Sequence, residues 1–132
     1  MNKYKAESIL PYDKKESKSS QVQQMFDTIA PSYDSLNRMM TFGLDKRWRR
    51  IAMKCLTKYH PELILDVATG TGDLPLLMEK MLSPKKITGI DLSEGMLNIA
   101  RKKINEHNLN HTIEFFREDC LSLSFPDNSF DA

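Results

Sequence analysis

With 132 residues, 40% of them apolar and 28% charged, the chain has the composition of a globular protein of about one domain, which excludes a wholly disordered chain. The 19 Lys and Arg residues nearly balance the 18 Asp and Glu residues, and a formal net charge of +1 excludes nucleic-acid binding driven by overall charge. No stretch is apolar and long enough for a signal peptide or a membrane span, so we expect a cytoplasmic protein. Cys55 and Cys120 lack Cys-x-x-Cys spacing and a nearby histidine cluster, so we expect neither a disulfide nor a bound metal.

The first 60 residues divide into a polar arm and a helical segment. Residues 1–18 are rich in lysine and show no periodicity, which indicates a mobile arm. Residues 19–60 contain three runs with helical spacing, the first ending before Pro31, the second over residues 33–40, and the third capped by Asp45. The apolar face of the first helix is predicted either to pack in the core or to line a pocket, and it consists of Val22, Met25, Phe26 and Ile29.

Residues 61–132 alternate between strand and helix, which favours a parallel sheet with helices on its faces. Three strands are predicted, at residues 63–67, 86–91 and 112–117. Residues 129–132 have the pattern of a fourth strand that is only beginning.

Two helices connect these strands. The first is predicted over residues 73–81, where Pro75 is tolerated because the first turn of a helix has unpaired N–H groups. The second is predicted to begin after an N-cap at Ser93. Its apolar face should be buried and consists of Met96, Leu97, Ala100 and Ile104.

A glycine turn directly after the first strand is a candidate ligand site. Gly70 and Gly72 allow the backbone to turn tightly and to bring its N–H groups close to a ligand, although a tight turn without a ligand remains an alternative. A dinucleotide fold would place a third glycine where this chain has Pro75, which argues against a nicotinamide cofactor.

Acidic residues end the next two strands. Asp91 is placed to accept hydrogen bonds from two ribose hydroxyls, or alternatively to cap the following helix. After the third strand, the Asp119 carboxylate is placed to accept from an adenine amino group and the Cys120 N–H to donate to the ring, the alternative being an exposed acidic loop. Because ligands of open α/β sheets bind at the carboxyl ends of the strands, these positions together predict a nucleoside-like ligand.

These motifs resemble those of class I S-adenosylmethionine-dependent methyltransferases. The run from Asp66 to Asp73, Asp-Val-Ala-Thr-Gly-Thr-Gly-Asp, is similar to their first motif, and Ala68 stands where many of them have glycine. More narrowly, residues 25–34, together with Leu-Asn at 36–37, Phe-Gly-Leu-Asp at 42–45 and Trp-Arg-Arg at 48–50, resemble the N-terminal signature of the ubiquinone/menaquinone biosynthesis C-methyltransferases, which commonly have alanine at that position. Residues 123–131 resemble a later motif of the same family.

The resemblance implies a Rossmann-like α/β sheet with strand order 3-2-1-4-5-7-6. Residues 61–132 would form the first half of the cofactor-binding domain, truncated at the start of strand four, and residues 19–60 would form helices that cap the substrate. It also implies S-adenosylmethionine as the methyl donor, without a metal. The residues expected to contact this cofactor are Asp66, Gly70, Thr71, Gly72, Asp91, Asp119 and Cys120.

The implied reaction is C-methylation of a polyprenylated quinol, in particular of demethylmenaquinol to menaquinol, with the ubiquinone precursor as a second acceptor. Tyr33 and Asp34 are candidates for a general base, although they also suit helix packing and capping. Because such a quinol resides in the bilayer, we expect transient contact with the inner face of the membrane. A basic run is placed to meet anionic lipid or else forms a solvated helix face, and it consists of Lys46, Arg47, Arg49 and Arg50.

Other interpretations stay open. One alternative is a methyltransferase that acts on another small molecule, and a second is a non-catalytic cofactor-binding module. We expect no nucleic-acid partner and allow for a homodimer. Because strand four only begins at residue 129, we also expect this chain to carry most cofactor contacts and to be weakly active or inactive by itself.

Overall fold

The computed structural model describes residues 16–132. The mobile arm predicted for residues 1–18 lies outside the described residues except for its last three, and Lys18 already begins the first helix. The described residues form a helical segment followed by alternating strands and helices, as the sequence predicts.

Three α-helices precede the sheet: α1 (Lys18–Ile29), α2 (Tyr33–Met40) and α3 (Leu44–Thr57). Helix α1 begins after Ser17, whose side chain accepts a hydrogen bond from the Ser20 N–H at 3.2 Å. It ends at Ile29, because Pro31 lacks the backbone N–H that would continue the hydrogen-bond pattern of the α-helix. A short 3-10 helix at Ala30–Ser32 joins it to α2.

The prediction that Asp45 caps α3 is wrong. The helix begins at Leu44, after Gly43, whose φ of +78° is a left-handed conformation that glycine adopts without steric cost. Asp45 instead lies buried in the first turn of α3. There its carboxylate accepts a hydrogen bond from the Thr41 hydroxyl at 3.2 Å and pairs with Arg49 at 3.3 Å.

The sheet consists of three parallel strands, β1 (Leu63–Val67), β2 (Lys86–Asp91) and β3 (Ile113–Arg117), with β2 in the centre. Helix α4 (Asp73–Leu82) connects β1 to β2, and α5 (Glu94–Glu106) connects β2 to β3. This order confirms the 3-2-1 part of the predicted topology.

The other edge of β1 carries the last two residues of the chain. The Asp131 N–H donates to the Leu63 carbonyl at 2.9 Å, and the Leu65 N–H donates to the Ala132 carbonyl at 2.9 Å. The Asp131 carboxylate also accepts from the backbone N–H groups of Glu62 and Leu63. Residues 129–132 are not a regular strand, but they lie beside β1, where the implied strand order places strand four.

The core lies between the sheet and helices α3, α4 and α5. Ile64, Ile87 and Ile113 occupy neighbouring positions on the three strands and are all buried. Each such side chain contributes roughly 1.5–3 kcal/mol by leaving water. The predicted apolar face of α5 is confirmed, since all four of its residues are buried: Met96, Leu97, Ala100 and Ile104. Within residues 16–132, no helix combines the length and apolar character needed to cross a bilayer.

A chain of partly buried ion pairs ties the first helices to this core. Lys103 of α5 pairs with Asp34 of α2 and, at 2.7 Å, with Asp73 at the start of α4. Asp73 also pairs with Arg49 of α3 at 3.2 Å, and Arg49 pairs with Asp45. Four helices are therefore joined through charged groups that are mostly withdrawn from solvent, where such pairs are screened less than on the surface.

Two glycines with the same backbone conformation allow a matched test of this packing. A Cβ at Gly72 (φ +81°) would lie 2.9 Å from the Ala100 Cβ, whereas a Cβ at Gly43 (φ +78°) would meet nothing within 4 Å. We expect Gly43→Ala to lower the free energy of unfolding by about 1 kcal/mol through backbone strain alone, and Gly72→Ala by roughly 2–4 kcal/mol, because overpacking adds to the same strain. Urea unfolding measures both. An equal loss in the two variants would contradict the close packing at Gly72.

Candidate functional site

A cavity of about 290 Å³ lies between helix α1 and the carboxyl ends of the three strands. The loops after β1, β2 and β3 contribute its polar groups, and α1 contributes an apolar wall. This is the edge of an open α/β sheet at which ligands bind, because parallel strands end there together. Its lining consists of Val22, Gln23, Phe26, Tyr33, Val67, Ala68, Gly70, Ile90, Asp91, Leu92, Ser93, Met96, Glu118 and Cys120.

The glycine turn after β1 uses its two glycines differently. Gly70 has φ +59° and lines the cavity, and nothing lies within 4 Å of the position its Cβ would occupy. Gly72 is buried against Ala100 and Phe115 of the core instead. Ala68, which lines the cavity, has φ +58°, a conformation that costs a residue with a Cβ roughly 1–2 kcal/mol. The turn thus offers an open backbone surface at Gly70 and a packing contact at Gly72.

The Asp91 carboxylate is the centre of the polar side of the cavity. Its Oδ2 accepts a hydrogen bond from the Gly70 N–H at 2.8 Å, and its Oδ1 accepts from the Ser93 N–H at 2.9 Å. Ser93 itself caps α5 as predicted, since its hydroxyl oxygen accepts from the Met96 N–H at 3.1 Å. Each carboxylate oxygen has capacity for a further hydrogen bond, so the geometry leaves Asp91 able to accept from additional donors.

Asp66 lies behind the turn rather than in the cavity lining. It is buried, and its Oδ2 accepts from the Thr69 hydroxyl at 2.6 Å. Burial raises the pKa of the Asp66 carboxyl, the negative charge of Asp91 raises it further, and the hydrogen bond from Thr69 only partly opposes them. Asp66 would therefore act on a ligand only indirectly, through the residues of the turn.

In the loop after β3, Cys120 lines the cavity but Asp119 does not. Asp119 is exposed, and its Oδ1 accepts from the Leu121 N–H at 3.0 Å. Glu118, which was not among the predicted site residues, also lines the cavity, and its N–H donates to the Asp91 carbonyl at 3.2 Å. Its position as the first residue after β3 was the available signal, because side chains at that point reach the same edge as Asp91.

The two candidates for a general base are placed differently. Tyr33 lines the cavity, and its ring meets that of Phe26 edge to face, with 6.4 Å between the centroids. The Asp34 carboxylate instead accepts from the Thr71 hydroxyl at 2.6 Å and pairs with Lys103. Thr71 is buried and is not part of the cavity lining.

The pKa of the Asp34 carboxyl is lowered. Burial by itself would raise this pKa, but hydrogen bonds from Lys103 and Thr71 and the positive charges of Lys103 and Arg49 outweigh the burial. A carboxylate held in its ionised form by two donors is a weak proton acceptor, so the geometry favours a structural role for Asp34 over proton abstraction.

A second, more basic groove of about 520 Å³ lies between α3 and α4. Lys46 and Arg50 line it, together with Arg38 and Lys80, and none of these four forms an ion pair within residues 16–132. Arg49, another member of the predicted basic run, is engaged by Asp45 and Asp73.

The part of the chain that the structure describes contains no group of three or more His, Cys, Asp or Glu side chains placed to hold a metal ion. The expectation of metal-independent chemistry stays a prediction.

The buried carboxyl behind the turn gives a test by pH. We expect Asp66→Asn to raise the free energy of unfolding at pH 7, because asparagine still accepts from Thr69 but carries no charge to bury. Folding raises the pKa of Asp66, so the protonated carboxyl stabilises the folded state fully below about pH 4. This contribution to the free energy of unfolding is lost as the pH rises through the pKa of Asp66 in the folded protein. Urea unfolding at pH 7 and at about pH 3 should show a gain only at pH 7.

Asp34→Asn is the matched control, and its effect on the free energy of unfolding at pH 7 should have the opposite sign. The folded-state pKa of Asp34 is lowered, so its contribution to stability is present above about pH 4 and is lost as the pH falls through the folded-state value. This variant should therefore be less stable than the wild type at pH 7. A loss of stability at pH 7 in both variants would contradict the assignment for Asp66.

Comparison with known proteins agrees with this geometry. The sequence model of the ubiE/COQ5 methyltransferase family matches residues 14–132. A demethylmenaquinone methyltransferase from Bacteroides fragilis is 50% identical over 129 residues, which is 98% of this chain and 53% of that protein. A demethylmenaquinone methyltransferase from Thermus thermophilus is 45% identical over 108 residues, which is 82% of this chain and 48% of that protein. The chain thus spans about half the length of the curated relatives it matches.

Solved structures show the same fold. The [4+2]-cyclase SpnF superposes with a TM-score of 0.63 at 31% identity, covering 86% of this chain and 47% of that one. A SAM-dependent methyltransferase from Aquifex aeolicus superposes with a TM-score of 0.50 at 31% identity, covering 60% of this chain and 44% of that one. The predicted α/β fold and the predicted family are both confirmed, and the chain belongs to the ubiE/COQ5 methyltransferase family.

Proposed function

We propose that this chain binds S-adenosylmethionine in the cavity at the strand ends and that the protein containing it methylates a ring carbon of a polyprenylated quinol, with demethylmenaquinol as the first candidate. One observation carries the proposal. The Asp91 carboxylate is fixed between the glycine turn and the start of α5, beside the open backbone of Gly70. Membership of the ubiE/COQ5 family and relatives named demethylmenaquinone methyltransferase support this choice of reaction.

The lining residues suit a cofactor that has a polar sugar and an aromatic base. Asp91 would accept from the ribose hydroxyls, and the open side of Gly70 would admit the cofactor next to the backbone. Cys120 and Glu118 line the part of the cavity contributed by the loop after β3, where the base would lie. Asp119 lies outside the cavity lining, whereas Cys120 is part of it, so we assign the base to Cys120 first.

When bound, the cofactor supplies an already activated methyl group on a sulfonium. The protein then has to align that group with the acceptor carbon and exclude water. Val22, Phe26 and Met96 give the cavity an apolar wall that suits a quinol ring and the start of its tail. Deprotonation of the neighbouring phenolic hydroxyl would place electron density on the acceptor carbon, which loses its own proton after the methyl group is added.

Of the two residues considered for contact with that hydroxyl, we retain Tyr33. Its side chain lines the cavity next to the apolar wall. The Asp34 carboxylate is engaged by Thr71 and Lys103, so we assign it to positioning α2 against the glycine turn.

We also propose that the α2–α3 corner contacts the membrane surface. Met39, Met40 and Phe42 are exposed there, Phe42 to 94%, although apolar side chains usually avoid water. Lys46 and Arg50 follow on α3 and form no ion pair within residues 16–132. Exposed apolar side chains followed along the chain by cations that lack an ion pair among the described residues suit the interface of an anionic bilayer, where the acceptor resides.

The cofactor assignment predicts a large effect of one carboxylate. Asp91→Ala should weaken the affinity for S-adenosylhomocysteine by about two to four orders of magnitude, roughly 3–6 kcal/mol, because the ribose would lose two hydrogen bonds to a charged acceptor. Isothermal titration calorimetry measures the affinity. Asp127→Ala is the control, since it removes an exposed carboxylate outside the cavity lining.

Asp91 also holds the Gly70 and Ser93 backbones, so circular dichroism of the ligand-free variant must accompany the titration. Unchanged affinity in a folded Asp91→Ala variant would contradict the ribose assignment.

The acceptor assignment is tested with radiolabelled S-adenosylmethionine and the complete gene product. We expect methyl transfer to demethylmenaquinol presented in lipid vesicles. Turnover should be higher with anionic than with neutral lipid and should fall with added salt, because each basic residue near an anionic surface contributes about 1 kcal/mol to binding. The ubiquinone precursor is assayed in parallel.

The double variant Lys46→Glu/Arg50→Glu tests membrane binding separately from methyl transfer. It should lose the preference for anionic vesicles while keeping turnover in detergent micelles. If the wild type shows no such preference, the membrane contact is wrong. If the wild type methylates neither quinol but binds S-adenosylhomocysteine, the acceptor class is wrong and a different acceptor or a non-catalytic role applies.

A further inference from the structure

The carboxylate of Asp27 joins helix α1 to the start of α5. Its Oδ1 accepts hydrogen bonds from the Ser93 hydroxyl and, at 2.9 Å, from the Gly95 N–H. Asp27 lies on α1, so these bonds connect residues that are more than 60 positions apart in the sequence. The start of a helix has unpaired N–H groups, and a carboxylate from another element stabilises them through both hydrogen bonding and the helix dipole.

The contact needs a glycine at position 95. A Cβ there would lie 3.1 Å from the Asp27 Cα and 3.2 Å from its carbonyl oxygen, so any larger residue would push α1 away by a few tenths of an ångström. The φ angle of Gly95 is not in the left-handed region, so close approach of α1 is the reason for glycine here.

Hydrogen bonds connect Asp27 to residues that line the cavity. Ser93, which donates its hydroxyl to Asp27, donates its N–H to Oδ1 of Asp91, and Oδ2 of Asp91 accepts from Gly70. On the other side, α1 carries Val22 and Phe26 into the cavity lining. Asp27 therefore belongs to a helix that lines the cavity, and it binds Ser93, one of the two residues whose N–H groups hold the proposed ribose acceptor.

We propose that Asp27 is a positioning residue that holds α1 against the cavity and, through Ser93, fixes the Asp91 carboxylate for the cofactor. The proposal rests on cofactor binding in this cavity as argued above. Loss of the Asp27 contact frees α1 to move, so a bound cofactor leaves faster. A residue that merely stabilised the fold would change the fraction of protein able to bind but not the dissociation rate of the part that binds.

The test is the dissociation rate of S-adenosylhomocysteine, measured by surface plasmon resonance on this chain. Asp27→Ala should raise the rate about tenfold, which corresponds to about 1.4 kcal/mol. Asp27→Asn should lie close to the wild type, because the amide oxygen can take the place of Oδ1. Thr28→Ala is the matched control on α1, since the exposed Thr28 hydroxyl donates to the Gln24 carbonyl of the same helix and forms no hydrogen bond to another element among residues 16–132.

Gly95→Ala separates positioning from stability. Alanine favours helix over glycine, so helix propensity predicts an equal or higher Tm for this variant. The close contact with Asp27 predicts faster dissociation, in the same direction as Asp27→Ala but smaller. A rise in Tm together with unchanged dissociation would overturn the proposal.

Hydrogen exchange of the ligand-free protein tests the contact independently of the cofactor. We expect the α1 backbone amides to exchange faster in Asp27→Ala than in Thr28→Ala. Unchanged exchange would overturn the proposal. If exchange accelerates but the wild type binds no S-adenosylhomocysteine, the cofactor assignment is wrong and the positioning role falls with it. If the wild type binds and Asp27→Ala leaves the dissociation rate unchanged, the positioning role is wrong while the cofactor assignment stands.

Discussion

The Asp91 carboxylate accepts one hydrogen bond from each of two loops, and the geometry of the site depends on this pair of contacts. One bond holds Gly70 in the turn after β1, and the other holds Ser93 at the start of α5. Because β1 and β2 are parallel neighbours, both loops reach the same edge of the sheet. A charged acceptor in that position holds two backbone segments together, and Asp91 lines the cavity.

Two separate sets of contacts attach the N-terminal helices to this edge. One set is ionic and runs from Asp34 through Lys103 to Asp73. The other is the close contact of Asp27 with Ser93 and Gly95. The first joins α2 to the packed side of the glycine turn, where Thr71 is buried, and the second joins α1 to the ligand side. The covering helices are thus coupled to the same short segments that would hold a cofactor.

Much of the fold was predictable because its signals are local. Strands β1 and β2 coincide with their predicted bounds, and β3 is one residue shorter than predicted, since apolar runs between turns are clear signals for buried parallel strands. The cap at Ser93 was predicted from its residue type and the apolar spacing that follows. The cap at Asp45 failed because Gly43, in a left-handed conformation, ends the loop first and leaves Asp45 free to pair with Arg49.

By itself, the sequence determined the order of the elements, the glycine turn and the acid at the end of β2, because each depends on residue type and short-range spacing. It also determined the family, through motifs that are continuous in the chain. Only the tertiary structure decided what each site residue contacts. Asp34 and Asp119 carry similar carboxylates, yet one is held by Lys103 and Thr71 and the other by a backbone N–H in its own loop. Asp27 lies within the N-terminal signature at residues 25–34, but its contacts could not be predicted, because its partners lie more than 60 residues away and meet it only after α1 packs on α5. Contacts across such distances depend on how the helices pack, which residue type and local spacing do not encode.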